Sequence, residues 1–276
     1  MRTECLIALI ILATAGASVQ AETVDCTPIT SLPAVISTQG IYCLTGNLDT
    51  AQTSGAAITI SSNNVTLDLN GWKVGGQSAG TGTTANGIYS TANNVTVKNG
   101  IVRGFYVGVH LAGRGARVQG ITADQNTSVG IFVSGQGNLV QDNQVVDTGG
   151  STAMANVNVS GIYATGVGSL IRDNLVSGLK ATGNGYEVGI YFDAGADQSG
   201  ALSNVVSDTA RPPAIVASAG IYMYGTSAVA VSSNIVTNFT YCVEYAYSST
   251  GTYSRNTAIS CDVGYAGTGT AGNGND

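Results

Sequence analysis

Short runs in which hydrophobic and polar residues alternate, each broken by Gly, Asn, Ser or Thr, follow one another along most of the chain. From residue 87 one phrase keeps returning: a small residue, a β-branched residue, then usually an aromatic. It reads Gly87-Ile88-Tyr89, Gly108-Val109-His110, Gly130-Ile131-Phe132, Gly161-Ile162-Tyr163, Gly189-Ile190-Tyr191, Gly220-Ile221-Tyr222 and Cys242-Val243-Glu244. The restarts lie 21, 22, 31, 28, 31 and 22 residues apart. Alternation over so few residues predicts a half-buried strand, its β-branched residue inward and its aromatic outward. Repetition at this spacing predicts a solenoid, in which each unit buries its apolar side only against its neighbours.

A second strand follows in each unit, ordered apolar, polar, any residue, Asn, any residue, apolar. It runs from Val140 to Val145, Ile171 to Val176, Val231 to Val236 and Tyr253 to Ala258, with a shortened form from Leu202 to Val206. Its Asn143, Asn174, Asn204, Asn234 and Asn256 recur at one point of the unit. Asn tolerates left-handed backbone and can bond its own turn, so a column of stacked amides is expected at a coil corner. Units this short hold no crossover helix, so successive strands run parallel, and such crossovers are right-handed. The expected fold is all-β: a single-stranded right-handed parallel β-helix of about seven or eight coils, roughly 35–40 Å long.

Composition agrees. Only 9% of residues are charged, while Gly numbers 38, a mixture that suits short strands and tight turns and disfavours helices. The high, periodic apolar content excludes a disordered chain. Residues 1–21 read as a secretory signal, with Arg2 at its start, Cys5 to Ala17 as its apolar core and Ala21 for cleavage. That core is short for a membrane span, and no second long apolar run follows, so a secreted or periplasmic protein is expected. Without Cys5, four cysteines remain, an even number for an oxidising compartment. Pairing Cys26 with Cys43 and Cys242 with Cys261 would staple the two ends of the rod. A metal site is the poorer reading of these residues, because no Cys-x-x-Cys occurs and His110 is the sole histidine. Residues 22–54 are expected to form a disulfide-stapled N-terminal cap, 55–265 the β-helix, and 266–276 a flexible tail.

The stretches Ile29-Thr30-Ser31-Leu32-Pro33, Gly40-Ile41-Tyr42-Cys43-Leu44 and Asn64-Val65-Thr66-Leu67-Asp68-Leu69-Asn70-Gly71 resemble the opening of secreted bacterial right-handed β-helix proteins. These belong to the pectin-lyase-like superfamily, and the later repeats are similar to its parallel β-helix repeats. The resemblance covers nearly the whole mature chain. It implies the fold, and activities as varied as polysaccharide lyases, glycoside hydrolases, epimerases, adhesins and phage tailspikes. Neither the Asp-Pro-His motif of the mannuronan C5-epimerases nor the three-Asp cluster of the polygalacturonases is found in this sequence.

The outward positions of the phrase stack into a stripe of Tyr89, His110, Phe132, Tyr163, Tyr191, Tyr222 and Glu244, with Tyr224 beside it. Aromatics in register offer apolar faces ringed by hydroxyls to a sugar, although aromatic ladders also stabilise strands by themselves. The longer units carry their extra residues just before the phrase, at Gly76 to Asn86, Thr148 to Ser160, Ala181 to Val188 and Thr209 to Ala219. All four are expected beside the stripe as one wall. No acid lies between Asp68 and Asp124, whereas Lys73, Lys98, Arg103, Arg114 and Arg117 do. One end of the rod is therefore read as locally basic, despite a net charge of −6.

Two catalytic readings follow. Uronate β-elimination would use His110 as base, with Arg103 and Arg114 holding the carboxylate. Glycosyl hydrolysis would use Glu187 and Asp193 as the flanking pair. No cofactor is expected; Asp193 and Asp197 could ligate Ca²⁺ through oxygen, but their spacing does not demand it. The expected partner is a polysaccharide or cell-surface glycan bound along the face from Tyr89 to Tyr222, not nucleic acid. The alternative is a non-catalytic surface, adhesive or structural rod.

Overall fold

The computed structural model describes residues 25–208 and 218–276. The expected signal, residues 1–21, and most of the insertion from Thr209 lie outside them. Among the described residues the strands form two parallel sheets, one of ten strands and one of eighteen. Each coil gives one strand to the first sheet and, around a corner, two short segments to the second. The chain is a right-handed parallel β-helix, as its repeat predicts.

The ten-stranded sheet runs from Ala34–Ile36 to Val263–Gly267, which is more rungs than the phrase alone counts. The additional rungs are at the ends. Thr27–Ile29 pairs with Gly40–Leu44, and Gly40–Leu44 with Val65–Asp68, so the stretch taken as a cap is built of β-helix strands. The tail beyond Ala266 is likewise laid on the last coil. Thr270–Ala271 pairs with Gly251–Ser254, and the N–H of Ala258 donates to the carbonyl of Asp276 at 2.7 Å. A parallel ladder needs only backbone donors and acceptors, which a Gly- and Asn-rich tail supplies as well as an apolar strand does.

Inside the rod, Ile58, Ile88, Val109, Ile131, Ile162, Ile190, Ile221 and Val243 stack in register and are buried. Each such side chain contributes about 1.5–3 kcal/mol on burial. The Gly of the phrase is required by close approach. A Cβ on Gly161 would stand 2.3 Å from Val176 Cγ1, and one on Gly220 would stand 2.0 Å from Val236 Cγ1. In the coil of Cys242 the residue in register with Val236 is the smaller Ala258, which leaves room for a side chain there. Cys242 is bonded to Cys261 and Cys26 to Cys43, with Cα separations of 5.7 and 5.8 Å.

The Asn column forms and is buried. Asn143 Nδ2 donates to Asn174 Oδ1 at 2.9 Å, and the chain continues through Asn204, Asn234 and Asn256. The left-handed backbone falls one residue earlier than expected, at Asp142, Asp173, Ser203, Ser233 and Arg255. That residue turns the corner, so the Asn itself can aim its amide along the rod axis. In two earlier coils the corner is crossed by continuous strands, Thr96–Arg103 and Arg117–Asp124.

Candidate functional site

Strand pairing holds the stripe in line: Tyr89 pairs with His110, His110 with Phe132, Phe132 with Tyr163, Tyr163 with Tyr191, Tyr191 with Tyr222, and Tyr222 with Glu244. From His110 to Tyr191 the rings stack face to face, with centroids 4.3, 4.6 and 4.9 Å apart and planes within 19°. This corrects the expectation of a flat platform along the whole stripe. The faces are consumed by neighbouring rings, and what this section presents outward is ring edges and hydroxyls. Beyond Tyr191 the stack opens. Tyr191 and Tyr222 are tilted by 48°, Tyr222 and Tyr224 by 44°, and Tyr224 and Tyr247 by 49°. At the other end the stack breaks once more, where Tyr89 and His110 meet edge to face at 70°.

The insertions pair with one another. Val157 and Thr182 form an antiparallel bridge. Asn158 Oδ1 accepts the N–H of Tyr186, and Asn156 Oδ1 that of Asn184, both at 2.9 Å. The wall so made encloses a groove of about 530 Å³ over Phe132, Tyr163, Tyr191 and Asp193, with Met154 and Asn156 on its side. A second cavity, of about 190 Å³, lies among Tyr186, Tyr191, Tyr222, Tyr224 and Tyr247. The two share Asn158, Ser160 and Tyr191. The insertion from Gly76 joins the next one, its Thr81 carbonyl accepting the N–H of Thr152 at 3.0 Å, and its Gln77, Gly80 and Thr81 line a further cavity of about 260 Å³ with Gln125, Asp147 and Gly149.

Among the described residues, Asp193 is the only carboxylate lining the groove or the tyrosine cavity. Its Oδ2 accepts the Tyr163 hydroxyl, and its Oδ1 the N–H of Ala194 at 2.7 Å. Burial, reinforced by the nearby carboxylates, pushes the phenols of Tyr163, Tyr191 and Tyr222 well up. They therefore remain protonated hydrogen-bond donors at neutral pH.

No protein family model and no curated protein matches the chain. Among solved structures, the chain superposes on the A-module of the mannuronan C-5 epimerase AlgE4 from Azotobacter vinelandii with a TM-score of 0.54 at 11% identity, over 88% of this chain and 85% of that one. It superposes on DFA-IIIase from Arthrobacter chlorophenolicus A6 without its lid with a TM-score of 0.50 at 11% identity, over 88% and 71%. With the Dettilon tailspike protein the TM-score is 0.47 at 14% identity, and the chain spans 60% of that protein's length. The fold shared with these proteins is the parallel β-helix.

Within this parallel β-helix, Phe132, Tyr163, Tyr191 and Asp193 meet in the groove, and Tyr191, Tyr222 and Tyr224 in the second cavity. The other candidates lie apart. His110 is held between Tyr89 and Phe132 and lines neither cavity, and burial lowers its pKa. Arg103 ends a strand of the other sheet, bridged to Asp124 at 3.0 Å. Arg114 lies in the turn after Val107–Leu111, its Nη2 donating to Gln136 Oε1 at 2.6 Å. The strand carrying His110 thus separates the two arginines.

Glu187 is not brought to Asp193. Strict alternation would put residues 187, 191 and 193 on one side. However, Val188 and Tyr191, an odd number of residues apart, both line the tyrosine cavity. The strand bends at Gly189, outside the ladder register, and Glu187 turns away. It is 8% exposed, and its Oε1 accepts the N–H of Ala181 at 2.8 Å.

The region read as basic is largely neutralised across coils: Lys73 pairs with Asp49, Lys98 with Asp68 and Arg103 with Asp124, at 2.8, 2.9 and 3.0 Å. Asp197 Oδ1 accepts the Ser227 N–H at 2.6 Å, and among the described residues no group of three or more His, Cys, Asp or Glu gathers as a metal site. Among the same residues no helix is long and apolar enough to cross a membrane. Sequence reasoning passed over Tyr186 and Tyr247, which complete the tyrosine cavity. The first stands in an insertion already marked as wall, and the second follows a strand end, so neither belongs to the repeated phrase.

Proposed function

We propose that this protein is an exported rod that binds a polysaccharide along the outer face of its ten-stranded sheet. The observation that carries the reading is the pair of adjoining cavities, which share Asn158, Ser160 and Tyr191 and cross successive coils. A binding surface that repeats with the coils suits a ligand that repeats along its own length. Sugar C–H faces would lie on the tilted rings of Tyr222, Tyr224 and Tyr247. Hydroxyls would meet Ser160, Asn158, the phenols and Asp193. Two fold neighbours bear names of saccharide-active proteins, which supports the reading only as analogy. The two disulfides fit an oxidising compartment.

Binding without cleavage is the better reading of the groove. Hydrolysis in its common forms needs two flanking carboxylates, and Asp193 lines the groove without Glu187. Elimination needs a cation beside the base, and Arg103 and Arg114 are instead engaged by Asp124 and Gln136. The test is affinity electrophoresis over a panel of glycans, with assays for reducing ends and unsaturated products. Retarded migration without product is expected. Absence of binding to every glycan would overturn the saccharide reading, and turnover would overturn its non-catalytic half.

A further inference from the structure

We infer that the ligand of this face is an uncharged glycan and that the face excludes uronate polymers, an inference that rests on the saccharide reading above. Every described lysine and arginine lies off the ten-stranded sheet. Lys73, Lys98, Arg103, Arg117 and Arg172 stand on strands of the other sheet, and Arg114, Lys180 and Arg255 in loops. None of them lines the groove or the tyrosine cavity. Several are engaged where they stand: Lys98 with Asp68 at 2.9 Å, Arg103 with Asp124 at 3.0 Å, and Arg172 with Asp173 at 2.8 Å.

The charges that do reach the face are negative. Asp193 opens into the groove, held by Tyr163 and the Ala194 N–H, and Glu244 continues the stripe after Tyr222. His110 brings no positive charge at neutral pH, because burial disfavours its imidazolium. A polymer with a carboxylate on each residue would meet repulsion from Asp193 and Glu244 here and find no donor cation among the described residues. An uncharged sugar can offer hydroxyl donors to the Asp193 carboxylate and apolar faces to the tilted tyrosines, and both sets of groups are satisfied.

The test uses pairs that differ only in the acid: β-1,4-linked mannose oligosaccharides against oligomannuronates, and methyl-esterified against free oligogalacturonates. Each is titrated into the intact protein by calorimetry, at low salt and near physiological salt. For any pair that binds, the uncharged member is expected to bind at least tenfold tighter at low salt. The gap should narrow as salt shortens the Debye length to about 8 Å. Asp193→Asn should narrow it further by raising uronate affinity. Equal or tighter binding of a free uronate by the wild-type protein would overturn the inference and leave the saccharide reading intact. A gap that neither salt nor Asp193→Asn reduces would overturn its electrostatic basis. If no member of any pair binds, nor any other glycan, the saccharide reading falls and the inference with it.

Discussion

Truncating Asn204 to Ala tests the device that keeps the coils in phase, and hence the stripe in line. The side chain is fully buried. Its Nδ2 donates to the carbonyl of Ile171 at 3.0 Å and to Asn234 Oδ1 at 2.9 Å. Its Oδ1 accepts the backbone N–H of Asn174 at 3.1 Å and Asn174 Nδ2 at 3.0 Å. After truncation, Asn234 Oδ1 still holds the backbone N–H of Asn204, and Asn174 Nδ2 still holds the carbonyl of Val140. The N–H of Asn174 has no such second bond and is left buried without its acceptor. An orphaned buried donor costs about 1–3 kcal/mol, and each of the three further bonds lost about 1 kcal/mol net, so a destabilisation of about 4–6 kcal/mol is expected. Asn204→Asp should cost more at neutral pH despite its matching shape. It removes both Nδ2 donations and sets a carboxylate against the Ile171 carbonyl and Asn234 Oδ1. Urea denaturation followed by far-UV circular dichroism gives the numbers, with the slopes compared because a solenoid can unfold in parts. A loss under about 0.5 kcal/mol for Asn204→Ala, the level of an ordinary surface substitution, would refute the reasoning.

Tyr224→Ala, which removes an exposed ring face, should weaken glycan binding about tenfold. Phe132→Leu, whose ring is covered on both sides, should weaken it less; calorimetric titration of both variants checks this. Glu187→Gln should flatten part of the pH dependence of stability. Burial raises the carboxyl's folded pKa, so the native state binds the extra proton. The wild type therefore loses stability as pH rises from the unfolded value through the folded one. Because Gln can still accept the Ala181 N–H, the variant should match or exceed the wild type at pH 7, as thermal melts across pH would show. Replacing Cys242 and Cys261 together by Ser opens a loop of sequence separation 19 and should cost about 3 kcal/mol, read as a lower melting temperature than the oxidised wild type.

How far the site was legible depends on which forces place each residue. The inward and outward assignments of Ile162 and Tyr163 follow from the pleat, and the structure bears them out. Glu187 fails the same rule because its strand leaves the ladder register at Gly189, where Val206 Cγ1 would stand 2.2 Å from a Cβ. That contact comes from the other sheet and leaves no mark on local alternation. Charge clustering misled for a similar reason. Lys98 and Asp68, or Arg103 and Asp124, are distant in sequence yet adjacent across coils, so a run without acids is not a surface without acids.

The repeat by itself determined the coil, the parallel sheets, the buried β-branched column and the Asn ladder. All of these rest on backbone periodicity and on contacts between one coil and the next, and a repeated phrase records both. The tertiary structure alone decided which rings show a face, which acid reaches the groove and where the cations go. Those depend on side-chain torsions and on insertions bonding to one another, neither of which repeats. The stripe was therefore readable as a line of aromatics. Its opening at Tyr222, Tyr224 and Tyr247 appears only once the rings are packed, because stacking covers every face except where the stack tilts.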